Sequence, residues 1–211
     1  MKLKKLVAIT LSAVMCMAAL TGCGGKSDSA KKTAKVIEVD LTDEQYAFGV
    51  DKDQPDLLKE VNQFVKDMKS DGTFDEICNR YFGDGTPVPV KSAAYDESKD
   101  QLVVATNAAF EPFEYMDGEN YVGIDMEIAK ALADKLGKEL VIQNMDFDAV
   151  CLSVGQHKCD VAMAGLTIKP DREEYVAFSD PYYSASQKLI TLSTDTEFDA
   201  CKTADDVNKI L

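Results

Sequence analysis

The chain has 211 residues, of which 45% are hydrophobic, and its formal net charge is −14. This composition is typical of a globular protein, and it argues against a disordered chain or one embedded in a membrane. The excess of acidic residues also argues against a nucleic-acid partner, because phosphates require a basic protein face.

The first 22 residues have the composition of an export signal. Residues 1–5 are basic, and residues 6–20 form a mostly apolar run that is too short to span a membrane comfortably. The tetrapeptide Leu-Thr-Gly-Cys that ends at Cys23 resembles the bacterial lipoprotein box, which implies cleavage before Cys23 and a lipid on its thiol. An ordinary signal peptide with an incidental cysteine is the alternative. Residues 23–35 are rich in Gly, Ser, Ala and Lys and predict a flexible tether to the outer face of the cytoplasmic membrane, or a periplasmic location.

The next part of the chain predicts short strands followed by two helices. Residues 36–39 and 45–50 have the patterns of strands. From Pro55 to Lys69, apolar residues recur at spacings of three and four, which predicts an amphipathic helix that follows Asp53 or Gln54. A second short helix is expected over residues 74–82.

A connector rich in glycine and proline is predicted over residues 84–100, and strands then alternate with helices. This order indicates an α/β unit with a mainly parallel sheet, which binds ligands at the carboxyl ends of its strands. We expect Asp125 to be the N-cap of the first helix of this unit. The predicted strands are 101–106, 139–143, 160–164 and 188–192, and the predicted helices are 125–136, 147–154 and one that starts at residue 170.

Two loops that follow predicted strands, residues 106–114 and residues 164–172, carry the candidate binding residues. In the second loop, Gly165 lets a ligand approach the backbone, and Thr167 offers a hydroxyl and an N–H group near a helix start, where an anion is favoured. Arg172 is one of only two arginines in the chain, and a guanidinium can hold a carboxylate through two parallel hydrogen bonds. The alternative is a solvated Arg172 that pairs with Glu173 or Glu174.

The cysteine and histidine content leaves the redox state open and argues against a metal. Four cysteines follow Cys23, and they allow three disulfide pairings or buried free thiols. His157 is the only histidine, and the cysteines are scattered, so we expect neither a metal nor a cofactor. His157 falls in a predicted helix-to-strand turn and is expected to be solvated rather than catalytic.

Long stretches between about residues 100 and 195 resemble the bacterial polar amino-acid binding proteins, which are the receptors of ABC importers, and most of all the glutamine-binding type. The resemblance implies a periplasmic-binding-protein-like II fold and a monomeric, non-enzymatic protein that passes an amino acid to importer membrane subunits. The matching stretches keep the family order and spacing, and they are residues 102–106, 109–110, 112–114, 121–125, 145–147, 164–172 and 178–183.

The resemblance also implies roles for individual residues. Arg172 would grip the ligand α-carboxylate with help from Thr167, and the carbonyl of Gly165 would accept from the α-ammonium, with Ala164 beside it at the start of the loop. Two aromatic residues, Phe110 and Phe147, would enclose the ligand side chain, although core packing is the alternative for both. Asn107 stands where many relatives have aspartate, which favours a neutral polar ligand such as glutamine over a cationic one.

The order of the segments differs from the family pattern. Residues 36–83 resemble the C-terminal segment of the first lobe, residues 101–193 its N-terminal segment, and residues 194–211 the start of a truncated second lobe. We therefore expect a circular permutation in which residues 84–100 join the two segments. The chain would then form one complete lobe, with a five-stranded sheet flanked by helices. Because such a chain contains half of the binding site, we expect weak or absent binding. The alternatives are a truncated fragment without activity and a same-fold dehydratase of prephenate or arogenate. The dehydratase is less favoured because the binding loops contain no paired carboxylates, Glu111 and Glu114 being the nearest.

Overall fold

The computed structural model describes residues 33–211, so the predicted export signal, Cys23 and most of the predicted tether lie outside the described residues. The helices are α1 (Pro55–Ser70), α2 (Thr73–Phe82), α3 (Ile124–Leu136), α4 (Phe147–Gly155), α5 (Pro170–Glu173) and α6 (Ala204–Asn208). The strands are β1 (Ala34–Val36), β2 (Glu44–Tyr46), β3 (Gly49–Asp51), β4 (Gln101–Thr106), β5 (Ala109–Phe110), β6 (Glu114–Asp117), β7 (Asn120–Val122), β8 (Glu139–Asn144), β9 (Val161–Ala162), β10 (Val176–Phe178), β11 (Tyr183–Ala185) and β12 (Ile190–Leu192).

A five-stranded mixed sheet forms the centre of the fold, in the order β10-β3-β9-β4-β8. Strand β4 pairs in parallel with β8 and β9, whereas β3 runs antiparallel to β9 and β10. Four of the five strands therefore point the same way, which confirms the predicted sheet but adds one reversed strand. Close packing requires a glycine in β3, because a Cβ at Gly49 would lie 2.8 Å from Cγ2 of Val176 in β10.

Strand β4 is buried on both faces, as its run of apolar residues predicts. Leu102 and Val104 belong to a core that includes residues of α1, α2 and α3. Val103 and Ala105 belong to a second core on the opposite face, which includes residues of α4. Because side chains alternate along a strand, this one strand holds both helical layers against the sheet.

The segment before the connector is an integral part of the same lobe. Helix α1 has the predicted amphipathic character and buries Val61, Phe64, Val65 and Met68. The predicted strand 45–50 is divided, because β2 pairs with β11 outside the main sheet, whereas β3 enters the main sheet. Phe48 lies at the division, and its fully buried ring stacks on Tyr182 with 4.3 Å between the ring centroids.

A smaller cluster lies at the end of an antiparallel ribbon. Strand β1 pairs with β12, and the amide N of Ile37 donates to the carbonyl O of Leu189 at 2.9 Å. Residues 34 and 35, which the sequence assigns to the tether, are thus part of a strand. The cluster contains residues from both ends of the described chain, namely Ile37, Val39, Phe198 and Val207.

The connector over residues 84–100 is attached to the lobe at several points. The backbones of Val90 and Tyr121 exchange two hydrogen bonds, of 2.7 and 3.0 Å, and the amide N of Ala93 donates to the carbonyl O of Leu140 at 2.9 Å. The buried carboxylate of Glu127 accepts from the amide N of Val88 at 3.0 Å.

Glu127 also explains the second arginine of the chain. The guanidinium of Arg80 bonds the buried carboxylate of Glu127 and, through its other terminal nitrogen, the exposed carboxylate of Glu76. The hydroxyl of Tyr81 donates to Glu127 at 2.7 Å. This carboxylate therefore joins α2, α3 and the connector.

Replacing Glu127 by glutamine should destabilise the fold by about 2 kcal/mol, because it removes the charge of a buried carboxylate that accepts hydrogen bonds from Arg80, Tyr81 and the backbone of Val88. Urea unfolding followed by circular dichroism measures this loss. Glu76→Gln is the matched control, since it removes the exposed partner of the same arginine and should cost less than about 1 kcal/mol. Equal losses in the two variants would contradict the role of Glu127.

Candidate functional site

Loops that follow neighbouring strands meet at the carboxyl edge of the parallel strands. Strand β4 ends at Thr106, and the side-chain nitrogen of Asn107 donates to the carbonyl O of Met145 at 2.7 Å. This bond joins the loop after β4 to the loop after β8. Asn107 therefore lies at the edge where parallel sheets carry their ligands.

Arg172 lies against two other predicted site residues. Its Nη1 donates to the carbonyl O of Thr167 at 2.9 Å, and its guanidinium carbon lies 5.0 Å from the ring centroid of Phe147. This second contact has the geometry of a cation–π interaction. Within the described part of the chain, Arg172 pairs with neither Glu173 nor Glu174, so the solvated alternative is not the arrangement found.

Thr167 is held by pairing with β2. The amide N of Ala47 donates to the carbonyl O of Leu166, and the amide N of Ile168 donates to the carbonyl O of Gln45, both at 3.0 Å. This register leaves the N–H and C=O groups of Thr167 on the outer edge, where the carbonyl meets Arg172.

The hydroxyl of Thr167 contacts Glu44, a residue that the sequence analysis does not single out. Its Oγ1 donates to the carboxylate of Glu44 at 3.2 Å, and the same carboxylate accepts from the side-chain amide of Gln187 at 2.9 Å. Glu44 was missed because it lies more than a hundred residues away in the chain and has no motif of its own.

Gly165 occupies a position that no other residue fits without strain. Its φ is +52°, and a Cβ there would lie 3.0 Å from Cε1 of Phe110. Its N–H donates to Oδ2 of Asp125 at 2.9 Å. The turn thus contacts a buried carboxylate through its N–H group, and an aromatic ring lies next to its Cα.

The two predicted aromatic residues are surface residues rather than core. Phe110 is 45% exposed and Phe147 is 40% exposed. Phe110 stacks on Phe113, with 5.5 Å between ring centroids, which supports its orientation. Ala164 differs from the other predicted site residues, because its side chain is buried in the second core and only its backbone can face a ligand.

The role expected for Asp125 is wrong. Helix α3 starts at Ile124 with Gly123 as its N-cap, and Asp125 is fully buried in the first turn. Its carboxylate accepts from Gly165 and, at 2.5 Å, from the hydroxyl of Tyr182. A capping residue has the same sequence signature as a buried carboxylate in a first helical turn, so spacing alone did not separate them.

A second buried carboxyl, that of Glu114, lies near Asp125. Glu114 is fully buried, and neither of its oxygens has a hydrogen-bond partner among the described residues. Burial, and then the negative charge of Asp125, raise the pKa of Glu114 to about 11. Burial also raises the pKa of Asp125, to about 6, against the opposing effect of the Gly165 and Tyr182 hydrogen bonds. Glu114 is thus neutral at pH 7.

His157 lies beside Asp51 of β3, whereas Cys151 and Cys159 lie in the second core together with Ala164. Nδ1 of His157 lies 2.8 Å from Oδ2 of Asp51, so the histidine is more than a solvated turn residue even though its side chain is 57% exposed. Asp51, Asp53 and His157 each offer one atom to a group that could hold a metal ion. The four cysteines within residues 33–211 are free thiols, which resolves the alternatives left open by the sequence.

The sequence matches the model of the bacterial extracellular solute-binding proteins, family 3, over residues 8–84 and 102–211. The chain belongs to this family, and the predicted fold class, that of the periplasmic-binding proteins of type II, is confirmed. Within residues 33–211, no helix has both the length and the apolarity needed to cross a membrane.

Two curated relatives show the range of the family. The chain is 40% identical over 96 residues to the arginine-binding extracellular protein ArtP of Bacillus subtilis, a match that covers 46% of this chain and 38% of that protein. It is 33% identical over 95 residues to a cyclohexadienyl dehydratase of Pseudomonas aeruginosa, covering 44% and 35%. The chain thus spans less than two fifths of the length of these relatives.

Among solved structures, an ancestral arginine-binding protein bound to arginine is 42% identical to the chain. The match covers 40% of this chain and 38% of that one, with a TM-score of 0.39.

Replacing Glu114 by glutamine should change how stability depends on pH. Folding raises the pKa of Glu114, so protonation of this carboxyl stabilises the folded state. The stabilisation is complete below the ordinary pKa of 4.5, and it is lost as the pH rises toward about 11. The free energy of unfolding of the parent chain should therefore fall relative to that of Glu114→Gln, by up to about 1.4 kcal/mol per pH unit.

Urea unfolding between pH 5 and 9 measures this difference. The exposed Glu111 provides the control, because Glu111→Gln should leave the pH dependence of the parent chain unchanged. Parallel stability curves for the parent chain and Glu114→Gln would show that Glu114 is ionised in the folded protein.

Proposed function

We propose that this chain is an extracytoplasmic substrate-binding lipoprotein of an amino-acid ABC importer. In this proposal it is monomeric, attached to the membrane through a lipid on Cys23, and it delivers a free amino acid to the membrane subunits. The observation that carries the proposal is the position of Arg172, whose guanidinium lies between the Thr167 carbonyl and the Phe147 ring in a chain of this family. One guanidinium beside an exposed aromatic ring suits a molecule with a carboxylate and a side chain that can stack.

We propose a ligand role for each of these residues, and its contacts support that role. Arg172 binds the α-carboxylate with the outer N–H of Thr167, and the backbone of Ala164 and Gly165 accepts from the α-ammonium. Phe110 and Phe147 enclose the side chain, which is consistent with the exposure of both rings. These groups form one wall that is open to solvent, so the affinity of this chain alone should be low.

The permutation forms part of the proposal. Residues 36–83 and 101–193 would be the two rejoined segments of one lobe, and residues 194–211 would begin the second. Three features support this assignment: β3 lies inside the sheet formed by the later strands, the connector follows the surface, and the family match is interrupted at residues 85–101. Chain ends at a surface can be rejoined without changing which faces pack together.

For the ligand itself we propose a polar, neutral amino acid such as glutamine. Asn107 presents an uncharged amide at the edge of the site, and that amide is bonded to Met145. A cationic amino acid is the second candidate, since the relative from Bacillus subtilis is named for arginine binding. The two candidates differ in the charge that the site must offer to the ligand side chain.

Dehydration of a prephenate-like substrate is less well supported, although one relative is a cyclohexadienyl dehydratase. Such chemistry requires an acid or base that touches the substrate. The carboxyl pair near the site, Glu114 and Asp125, is fully buried, so neither carboxyl is exposed to a substrate. Binding without chemical conversion is therefore the function that the geometry supports better.

Replacing Arg172 by lysine should weaken amino-acid binding at least about tenfold, because lysine cannot form two parallel hydrogen bonds to one carboxylate. Binding of glutamine to the 211-residue chain can be measured by calorimetry and by amide shifts in NMR spectra, and we expect a dissociation constant of about millimolar size. Lys169→Ala, an exposed change in the same loop, is the control and should leave affinity unchanged. A micromolar constant would contradict the open, one-walled site, and equal affinity in Arg172→Lys would remove the proposed role of Arg172.

Replacing Asn107 by aspartate should shift preference from glutamine toward arginine by about tenfold or more, because the new carboxylate attracts a cationic side chain. The change also removes the donor to the carbonyl O of Met145, so Asn107→Ala serves as the control that loses this bond without adding charge. The measured quantity is the ratio of the two dissociation constants in each variant. The same ratio in Asn107→Asp and Asn107→Ala would exclude Asn107 from ligand discrimination.

A further inference from the structure

Glu114 and Asp125 form a buried carboxyl pair beside the Gly165 turn, and neither residue has a role in the proposed ligand binding. Asp125 is the second residue of α3, a helix of 13 residues, and Glu114 begins β6. Both are fully buried, and both oxygens of Glu114 are without a hydrogen-bond partner in the described part of the chain. Two ionised carboxylates cannot share such a place, because each would be desolvated and would repel the other.

The surroundings decide which member of the pair carries the charge. Asp125 accepts hydrogen bonds from the Gly165 N–H and the Tyr182 hydroxyl, and it lies in the first turn of a helix, where negative charge is favoured. Glu114 has none of these donors, and its carboxyl is the more strongly biased toward the neutral form.

Among the described residues, the titratable groups that interact with the pair are Tyr46 from β2, Cys78 from α2 and Tyr182 from the loop before β11, and none of them is a cation. Burial raises the pKa of each of these groups, and the charge of Asp125 adds to the shift. The hydrogen-bond donors therefore have to stabilise the single charge in place of a cation.

The charged carboxylate reaches the ligand wall through one hydrogen bond. The Gly165 N–H donates to Asp125 at 2.9 Å, and a Cβ at Gly165 would lie 3.0 Å from Cε1 of Phe110. The following residues, Leu166 and Ile168, are bonded to the backbone around β2. The turn at Gly165 is thus set on one side by β2 and on the other by Asp125.

We propose that Asp125 is a positioning residue for the amino-acid site: as the only charged member of a buried pair with Glu114, it holds the Gly165 turn in the orientation that presents the backbone to the ligand. The inference rests on the proposed function for its ligand part. Protonation of Asp125 weakens its bond to Gly165, so the turn loosens as the pH falls through about 6. The neutral Glu114 allows Asp125 to keep its charge at pH 7.

The test follows the Gly165 amide of the isotope-labelled full chain by NMR between pH 4.5 and 8. The amide proton should titrate with a midpoint of about 6, and Asp125→Asn should abolish this transition. Tyr182→Phe removes one donor from the carboxylate, so its midpoint should rise. Glu114→Gln replaces one neutral group by another, so its midpoint should stay within about half a unit of that of the parent chain.

Three results would overturn the proposal: a Gly165 amide that does not titrate, a transition that persists in Asp125→Asn, or a midpoint that falls by a unit or more in Glu114→Gln. If Asp125→Asn does not fold, the direction of the Tyr182→Phe shift decides instead, and an unchanged midpoint there rejects the assignment.

In a second experiment, millimolar glutamine is added at pH 7, and the change in the chemical shift of the Thr167 amide is compared between the parent chain and the variants. The shifts seen in the parent chain should be lost in Asp125→Asn and retained in Glu114→Gln, whereas a purely structural role would affect both variants alike. If neither glutamine nor arginine changes the amide shifts of the parent chain, the proposed function fails. The pH dependence of the Gly165 amide shift then still tests the role of Asp125 independently.

Discussion

The structure depends on the insertion of strand β3 between β9 and β10. This strand comes from the segment before the connector, and it runs against both of its neighbours. Without it, β10 would have no partner in the sheet, and the loop that carries Gly165 to Arg172 would lose its support from the adjoining β2. The candidate site therefore exists only when two segments that are distant in the chain have assembled into one lobe.

The same assembly explains how charge is distributed around the lobe. Within residues 33–211, two buried carboxylates lie where several donors meet: Glu127, which joins α2, α3 and the connector, and Asp125, which joins α3 to the Gly165 turn. Burying a carboxylate is costly, so each such residue marks a junction at which geometry has to be specified. One junction secures the connector, and the other supports the candidate binding wall.

Local patterns made several parts of this architecture predictable. The periodicity of α1, the doubly buried β4 and the ends of α3 and α4 depend on residues close together in the chain, and they lie within a few positions of the predicted bounds. The resemblance that indicated the family also pointed to Arg172 and Thr167, which the structure brings into contact. The pattern of residues 45–50 predicts one continuous strand, because nothing local shows that its two halves join different sheets.

Composition and periodicity are sufficient to predict the α/β class, and the resemblance of quoted stretches is sufficient to indicate the family and the residue types available for a carboxylate and an aromatic contact. Contacts made in the folded chain are needed to establish that Asp125 is a buried acceptor rather than a helix cap, that Glu44 bonds Thr167, and that Phe110 and Phe147 face solvent. The physical reason is that burial and pairing depend on neighbours from elsewhere in the chain. A carboxylate acquires its charge state, and a ring its exposure, only when those neighbours are in place.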